Sequence, residues 1–233
     1  MKGQSKNRGI GGAASKRREA VRVKTAKKRS VSSAKWLKRQ LNDPYVAAAK
    51  DMGFRSRAAF KILQLDEQFH FLKKGMRVVD LGAAPGGWSQ IVAKKMGPTG
   101  KLVSLDILPI EPIDGAVILH MDFLADDAPD RLKEALGGEA QVVLSDMAPS
   151  TTGHAATDHL RIMDLAETAA HFAFEVLAPG GTFVCKYFQG GAEKVLLDQL
   201  KKRFSKVRHA KPASSRADSS ESFIVATGFR KVS

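Results

Sequence analysis

The sequence predicts an α/β domain whose mainly parallel sheet is covered by helices on both faces. Three features carry this reading. From Gly75 onward short β-branched runs alternate with helix-length stretches, a glycine-rich turn joins the first run to the helix after it, and acidic residues recur at the ends of successive runs. Strands alternating with helices are the pattern of βαβ units. The chain has 233 residues, 43% hydrophobic and 27% charged, which suits one globular domain with an addition and excludes disorder throughout.

The addition is at the N-terminus. Lys and Arg total 38 against 24 Asp and Glu, a net charge of +14, and through Arg39 there are 14 basic residues and one acid, Glu19. Residues 1–33 are Gly, Ser, Lys and Arg with almost no apolar side chains, too little to offset the entropy of ordering, so a disordered basic arm is expected. The remainder, 34–233, reads as a single domain with a helical N-terminal subregion over 34–75. Such an arm suits nucleic acid, with an organelle transit peptide as the rival reading. No apolar run approaches the ~18 residues of a membrane span and the arm lacks the apolar core of a secretory signal, so a soluble, cytoplasmic, monomeric protein is expected. Cys185 is the only cysteine; neither an intramolecular disulfide nor a cysteine-based metal cluster is possible. The six histidines show no metal-ligand spacing.

Residues Trp36 to Tyr45 can start a helix that Pro44 ends or interrupts. Ser56 suits an N-cap, and Ala59, Phe60, Leu63, Phe69 and Leu72 recur at roughly helical spacing, giving an amphipathic helix to about Phe71 that carries Arg55, Arg57 and Lys61. Strands are expected over 76–81, 101–107, 116–122, 141–147 and 181–188. Helices fall between them over 88–96, 130–136 and 157–178, followed by another over 191–204. KVRHAK and SFIVATGF form a closing antiparallel pair.

The turn after the first strand runs Asp80-Leu81-Gly82-Ala83-Ala84-Pro85-Gly86-Gly87-Trp88. In an open α/β sheet this is where the ligand crevice lies, so Asp80, Gly82, Pro85, Gly86 and Gly87 are candidate ligand-site residues, against the plainer reading of a connecting loop. Ala84 stands where a dinucleotide fingerprint needs its second glycine, and Pro85 offers no N–H to a pyrophosphate, which disfavours a nicotinamide oxidoreductase. No GK[ST] follows, so this is not a P-loop. Asp80, Asp106, Asp122 and Asp146 end four strands and point toward one crevice, where they can accept hydrogen bonds from ribose hydroxyls or amines. Any one of them alone would equally be a turn or capping residue; Asp106, after the second strand, has the geometry for ribose.

DLGAAPGGWSQ, the acid of SLDI, HMDF, SDMAPSTTG, the lysine of FVCKYFQG and the glutamate of SSRADSSESFIVATGF together resemble the FtsJ (RlmE) ribosomal RNA large-subunit 2′-O-ribose methyltransferases, from about Trp36 to Phe229. The resemblance implies a class I, Rossmann-like fold that uses S-adenosyl-L-methionine, a cofactor without phosphate. It matches Gly86, Trp88, Asp106, Asp122 and Asp146 to cofactor-binding positions, and a Lys-Asp-Lys-Glu tetrad to Lys61, Asp146, Lys186 and Glu221, none of them substituted. The implied target is a uridine ribose in 23S rRNA within the assembled large subunit. Two rivals remain: the same chemistry on tRNA or another RNA, and a non-catalytic RNA-binding module, which would need a tetrad residue replaced.

Methyl transfer to a ribose hydroxyl requires alignment and removal of the hydroxyl proton. Lys186 lies in an apolar strand, where an ammonium is costly to bury without partners. A lysine acts as a base only when neutral, a state favoured by desolvation or by a second cation such as Lys61. Lys186 is therefore expected to accept or steer the proton, Lys61 to position the hydroxyl, and Glu221 to hold the lysines. Taken alone, Lys61 and Glu221 would read as solvated surface charges. Residues 50–77 hold seven basic and three acidic side chains and 201–216 seven and none, whereas 106–146 hold two and ten; the two basic segments suggest a phosphate-tracking surface beside the reaction site.

Overall fold

The computed structural model describes residues 31–149, 153–189 and 193–231; the expected arm lies outside them up to residue 30. The chain divides after Arg57 into two compact units. In the first, α1 (Val31–Leu41) begins inside the stretch read as arm, and α2 (Pro44–Asp51) follows it. The helical stretch is thus interrupted before Pro44, as expected, and Pro44 itself opens the second helix, because a proline's missing N–H is no loss at the first helical position. Asp43 fixes that start: its carboxylate accepts a hydrogen bond from the Tyr45 N–H at 3.0 Å and pairs with Arg57 at 2.9 Å.

The second unit opens with α3 (Ala58–Phe69), shorter by two residues at its end than the spacing suggested. His70 takes a left-handed φ of 53° there, and the Asp66 carboxylate accepts from Leu72 N–H at 2.7 Å, turning the chain out of the helix. Then come β1 (Arg77–Leu81), α4 (Gly87–Met96), β2 (Lys101–Asp106), β3 (Ala116–His120), α5 (Ala128–Leu136), β4 (Ala140–Ser145), α6 (Ala155–Val176), β5 (Leu177–Phe188), α7 (Lys194–Arg203), β6 (Phe204–Ala210) and β7 (Glu221–Phe229). The fifth strand starts four residues before its expected position, at a register shift against β4 between Ala140 and Val142.

Seven strands form one sheet in the order β3-β2-β1-β4-β5-β7-β6. The first five pair in parallel, and β7 is antiparallel to both β5 and β6. The apolar runs of β1, β2, β4 and β5 are buried on both faces, as strands covered by helices on each side must be. One face packs Val79, Leu105, Phe183 and Ile224 against Leu132 of α5, Phe172 of α6 and Leu200 of α7. On the other, α4 lies on β1 and β2 with α3 beside it. After β1 the chain works outward to β3 and returns to β4 on the opposite side of β1. The loops after β1 and β4 therefore part in opposite directions and leave a crevice at the carboxyl ends of the strands.

Candidate active site

That crevice is a cleft of about 520 Å³, lined by Gly82 and Ala84 after β1, Asp106 to Leu108 after β2, Asp122 to Leu124 after β3, Asp146 to Pro149 after β4, and Arg161, Asp164 and Leu165 of α6. Its acids are oriented by backbone. The Asp106 carboxylate accepts from Leu108 N–H and Ala84 N–H, both at 2.8 Å, which ties the end of β2 to the glycine loop. Asp122 accepts from Leu124 N–H at 2.9 Å. Each of these oxygens keeps a lone pair for a ligand hydroxyl or amine.

Of the residues expected to hold a cofactor, Gly82, Asp106, Asp122 and Asp146 line the cleft, while Asp80, Pro85, Gly86, Gly87 and Trp88 do not. Pro85 is exposed on the loop, and Gly86, at a left-handed φ of 102°, precedes the first turn of α4. Asp80 is fully buried beneath the loop, where its Oδ2 accepts from Ser89 Oγ at 2.6 Å and Ser89 Oγ lies 2.9 Å from Ser104 Oγ. Burial, reinforced by the nearby Asp146 and Asp106 charges, pushes its carboxyl up to about 7, against a smaller opposing effect of the Ser89 hydrogen bond. The folded chain consequently keeps a proton that the unfolded chain loses near pH 4. Stability from this group is present at low pH and lost as pH rises to about 7. Asp80→Asn is expected to gain up to roughly 4 kcal/mol over the parent above pH 7 and almost nothing at pH 4, at ~1.36 kcal/mol per pH unit. Urea unfolding at the two pH values reads this directly, and an equal gain at both would show that Asp80 is ionised throughout.

Beside the cleft four charged groups meet, the outermost pair 160 positions apart in sequence. Parallel pairing sets Ser145 of β4 against Cys185 of β5, so Asp146 and Lys186 emerge side by side. Lys186 Nζ donates to the Asp146 carbonyl at 2.5 Å and lies 3.0 Å from its Oδ1. From α3, Lys61 Nζ reaches Glu221 Oε2 at 2.7 Å and stands 3.8 Å from Asp146 Oδ2. The four side chains are only 8% to 16% exposed, which limits solvent screening of these pairs. Desolvation works to raise the Asp146 carboxyl, but the Lys186 and Lys61 ammonium groups outweigh it and hold it below the usual carboxylate range.

The supporting groups were not singled out from sequence. Ser215 Oγ donates to Glu221 Oε1 at 2.8 Å, and Gln64 Oε1 accepts from Ser214 N–H at 2.9 Å. The Phe223 ring centroid lies 5.5 Å from Lys61 Nζ. Gln64 and Phe223 were legible in principle, since each shares a helix or strand face with Lys61 or Glu221; nothing distinguishes Ser215 within its serine-rich loop. Trp88 belongs with this group. Its indole N–H donates to Ala58 carbonyl at 2.9 Å, at the start of α3, and its ring lies 5.7 Å from Phe223. Its side chain thus braces the helix that carries Lys61. Trp88→Phe keeps a ring but loses the N–H, and should cost about 1 kcal/mol of stability while lowering kcat more than cofactor affinity. A variant with weakened cofactor binding and unchanged kcat would put the indole in the cofactor site instead. The Cys185 thiol is pushed up to about 12 by burial, so it is an inert core side chain.

Known proteins resemble this chain along most of its length. The family pattern of FtsJ-like methyltransferases matches residues 54–229. The Ribosomal RNA large subunit methyltransferase E of Paramagnetospirillum magneticum is 64% identical, over 98% of this chain and 96% of its own. Its namesake from Granulibacter bethesdensis is 60% identical over 92% of each. The crystal structure of a ribosomal RNA methyltransferase from Plasmodium falciparum superimposes with a TM-score of 0.67 at 28% identity, over 76% of this chain and 98% of that one. With the family pattern covering most of its length and identities this high across nearly all of it, the chain belongs to the FtsJ-like methyltransferase family.

Proposed function

We propose that the chain catalyses S-adenosyl-L-methionine-dependent methylation of the 2′-hydroxyl of a uridine in 23S rRNA, within the large ribosomal subunit in the cytoplasm. The observation that carries this reading is the convergence of Lys61, Asp146, Lys186 and Glu221 at the side of the cleft, two amines and two carboxylates aimed at one small volume. The cleft fits an adenosyl sulfonium. Asp106 is oriented for ribose hydroxyls, Asp122 for an amine, and Ile107, Leu108 and Leu124 give an apolar rim for a purine. Asp106, Asp122, Asp146 and Asp164 outnumber Arg161 among the lining charges, which complements a cationic ligand.

When bound, the cofactor supplies a methyl group made electrophilic by its sulfonium. Transfer forms a C–O bond at the 2′-oxygen, breaks the methyl–sulfur bond and releases the hydroxyl proton. Lys186 Nζ accepts or steers that proton from a position fixed by the Asp146 carbonyl and carboxylate. Lys61 orients the 2′-oxygen with N–H capacity left over from its bond to Glu221, and Glu221, held by Ser215, keeps Lys61 from swinging out of reach. Asp146 serves both halves of the site, since it lines the cleft and touches both lysines. Placement of the acceptor is where most of the rate originates in such a reaction.

The same four groups would serve a ribose hydroxyl in any RNA, so the target has to be read from the product. Purified protein incubated with labelled methyl donor should modify large subunits lacking the methyl group, and the label should map to a uridine ribose in 23S rRNA. Label confined to tRNA would move the activity to a different RNA, and label on a base would overturn the reaction class.

A further inference from the structure

We infer that the target RNA strand crosses β6, with Arg208 and Lys206 holding neighbouring phosphates on the sheet face that carries Lys186; this rests on the RNA methyltransferase reading above. Register places the residues. Lys186 pairs with Phe223 across β5 and β7, and in the antiparallel pairing of β7 with β6, Val225 faces Arg208 and Thr227 faces Lys206. Paired residues and residues two apart share a face of a sheet. Lys186, Phe223, Arg208 and Lys206 therefore lie on one side. The intervening side chains confirm the alternation, since Val207 packs on the opposite core and His209 meets the Tyr187 hydroxyl at 2.7 Å.

From strand geometry, Arg208 is ~12 Å and Lys206 ~17 Å from Lys186 between Cα atoms, with ~6.8 Å separating the two. That spacing suits consecutive phosphates of one extended strand whose ribose sits at the tetrad. Both side chains are exposed at the sheet edge, and neither has an ion-pair partner among the described residues. The basic stretch 201–216 is thereby divided. Helix α7 buries Leu196 and Leu200 in the opposite core, so Lys201 and Lys202 belong to the far side of the sheet, and Arg203 lies 5.4 Å from the Phe174 ring there. Charge along the sheet points the same way. The segment 106–146, with ten acidic and two basic residues, contributes the other edge strand, β3, together with α5, so a polyanion is repelled from that edge and steered toward β6.

The test compares Lys206→Gln/Arg208→Gln with Lys201→Gln/Lys202→Gln. Co-sedimentation with large subunits lacking the methyl group, over a range of salt concentrations, gives affinity and its salt dependence without any need for catalysis. Loss of two phosphate contacts at β6 should weaken binding roughly 10-fold and flatten the slope of log K against log salt by ~1.5. The α7 pair should stay within about twofold of the parent in affinity and in kcat at saturating subunits. A parental slope in the β6 pair, or an equal loss in the α7 pair, overturns the path. If the parent protein binds in this pattern yet transfers no methyl group to the subunits, the function reading fails and the surface stands. If it methylates them while the β6 pair binds like the parent, the surface fails and the function stands.

Discussion

Lys186→Arg is expected to lower methyl transfer by at least ~10³-fold while leaving cofactor affinity within a few-fold of the parent, a loss in the range that a positioned proton acceptor contributes. Arginine keeps a positive charge in the strand and can still pair with Asp146, but its guanidinium stays protonated at any pH the protein survives. The substitution therefore separates two roles that Lys186→Met removes together, the cation and the base. Lys186 Nζ is bonded to the Asp146 carbonyl and lies against its carboxylate, so the methionine variant also leaves Asp146 short of its nearer cation. It should show the same collapse of rate together with a rise in the Asp146 pKa, because Lys186 is the leading influence that lowers it. Single-turnover methyl transfer beside equilibrium dialysis of labelled cofactor checks both variants. Near-parental rates for arginine would make Lys186 an electrostatic anchor, and near-parental rates for methionine with intact cofactor binding would remove it from the mechanism.

The architecture was legible because the determinants are local. Runs such as RVVDL and KLVSLD, short, β-branched and bounded by turn residues, read as strands buried on both faces, and the helical stretches between them favour parallel pairing. Lys186 was legible for the same reason: an ammonium inside an apolar strand needs an explanation. Lys61 and Glu221 were not, since nothing in a helix face or a serine-rich loop says that two side chains 160 positions apart will meet; only likeness to a known family joined them. Asp80 and Asp106 illustrate a different limit. Both lie near strand ends and, since Asp80 pairs with Ser104, on one face of the sheet, yet Asp106 reaches the cleft as the last residue of β2 while Asp80, with Leu81 still to follow in β1, sits a level below it; composition does not say which acid falls at the very end of its strand. Trp88 was ambiguous in the same way, and the partners that claim it, Ala58 and Phe223, come from elsewhere in the chain. Pro44 does mark the interruption between α1 and α2; that it also opens α2 follows from Asp43, an aspartate placed to cap the next helix.

Gly82→Ala is expected to cost about 3–5 kcal/mol and to depress methyl transfer even at temperatures where the variant is folded, the sum of a left-handed backbone strain and an overlap with main-chain atoms. Gly82 has φ +75°, and a Cβ built there would lie 2.7 Å from Met147 Cα and 2.8 Å from its backbone nitrogen. The obstacle is main chain, which cannot rotate away. It is also anchored, because Asp146 N–H donates to Leu81 carbonyl at 3.1 Å and Gly82 N–H to Leu105 carbonyl at 2.9 Å, so the ends of β4, β1 and β2 are laced together on either side of the clash. Relief requires β1 and β4 to part where the cleft opens, and Met147 carries Asp146 with it, drawing the carboxylate off Lys186 and Lys61. Gly115→Ala supplies the control: φ is +80° there, but nothing lies within 4 Å of the added carbon, so it bears only the backbone strain of about 1–2 kcal/mol. Denaturation midpoints and kcat of the two variants isolate the clash. Equal midpoints with parental methyl transfer in Gly82→Ala would mean that the contact between the β1 and β4 loops does not set the geometry of the site.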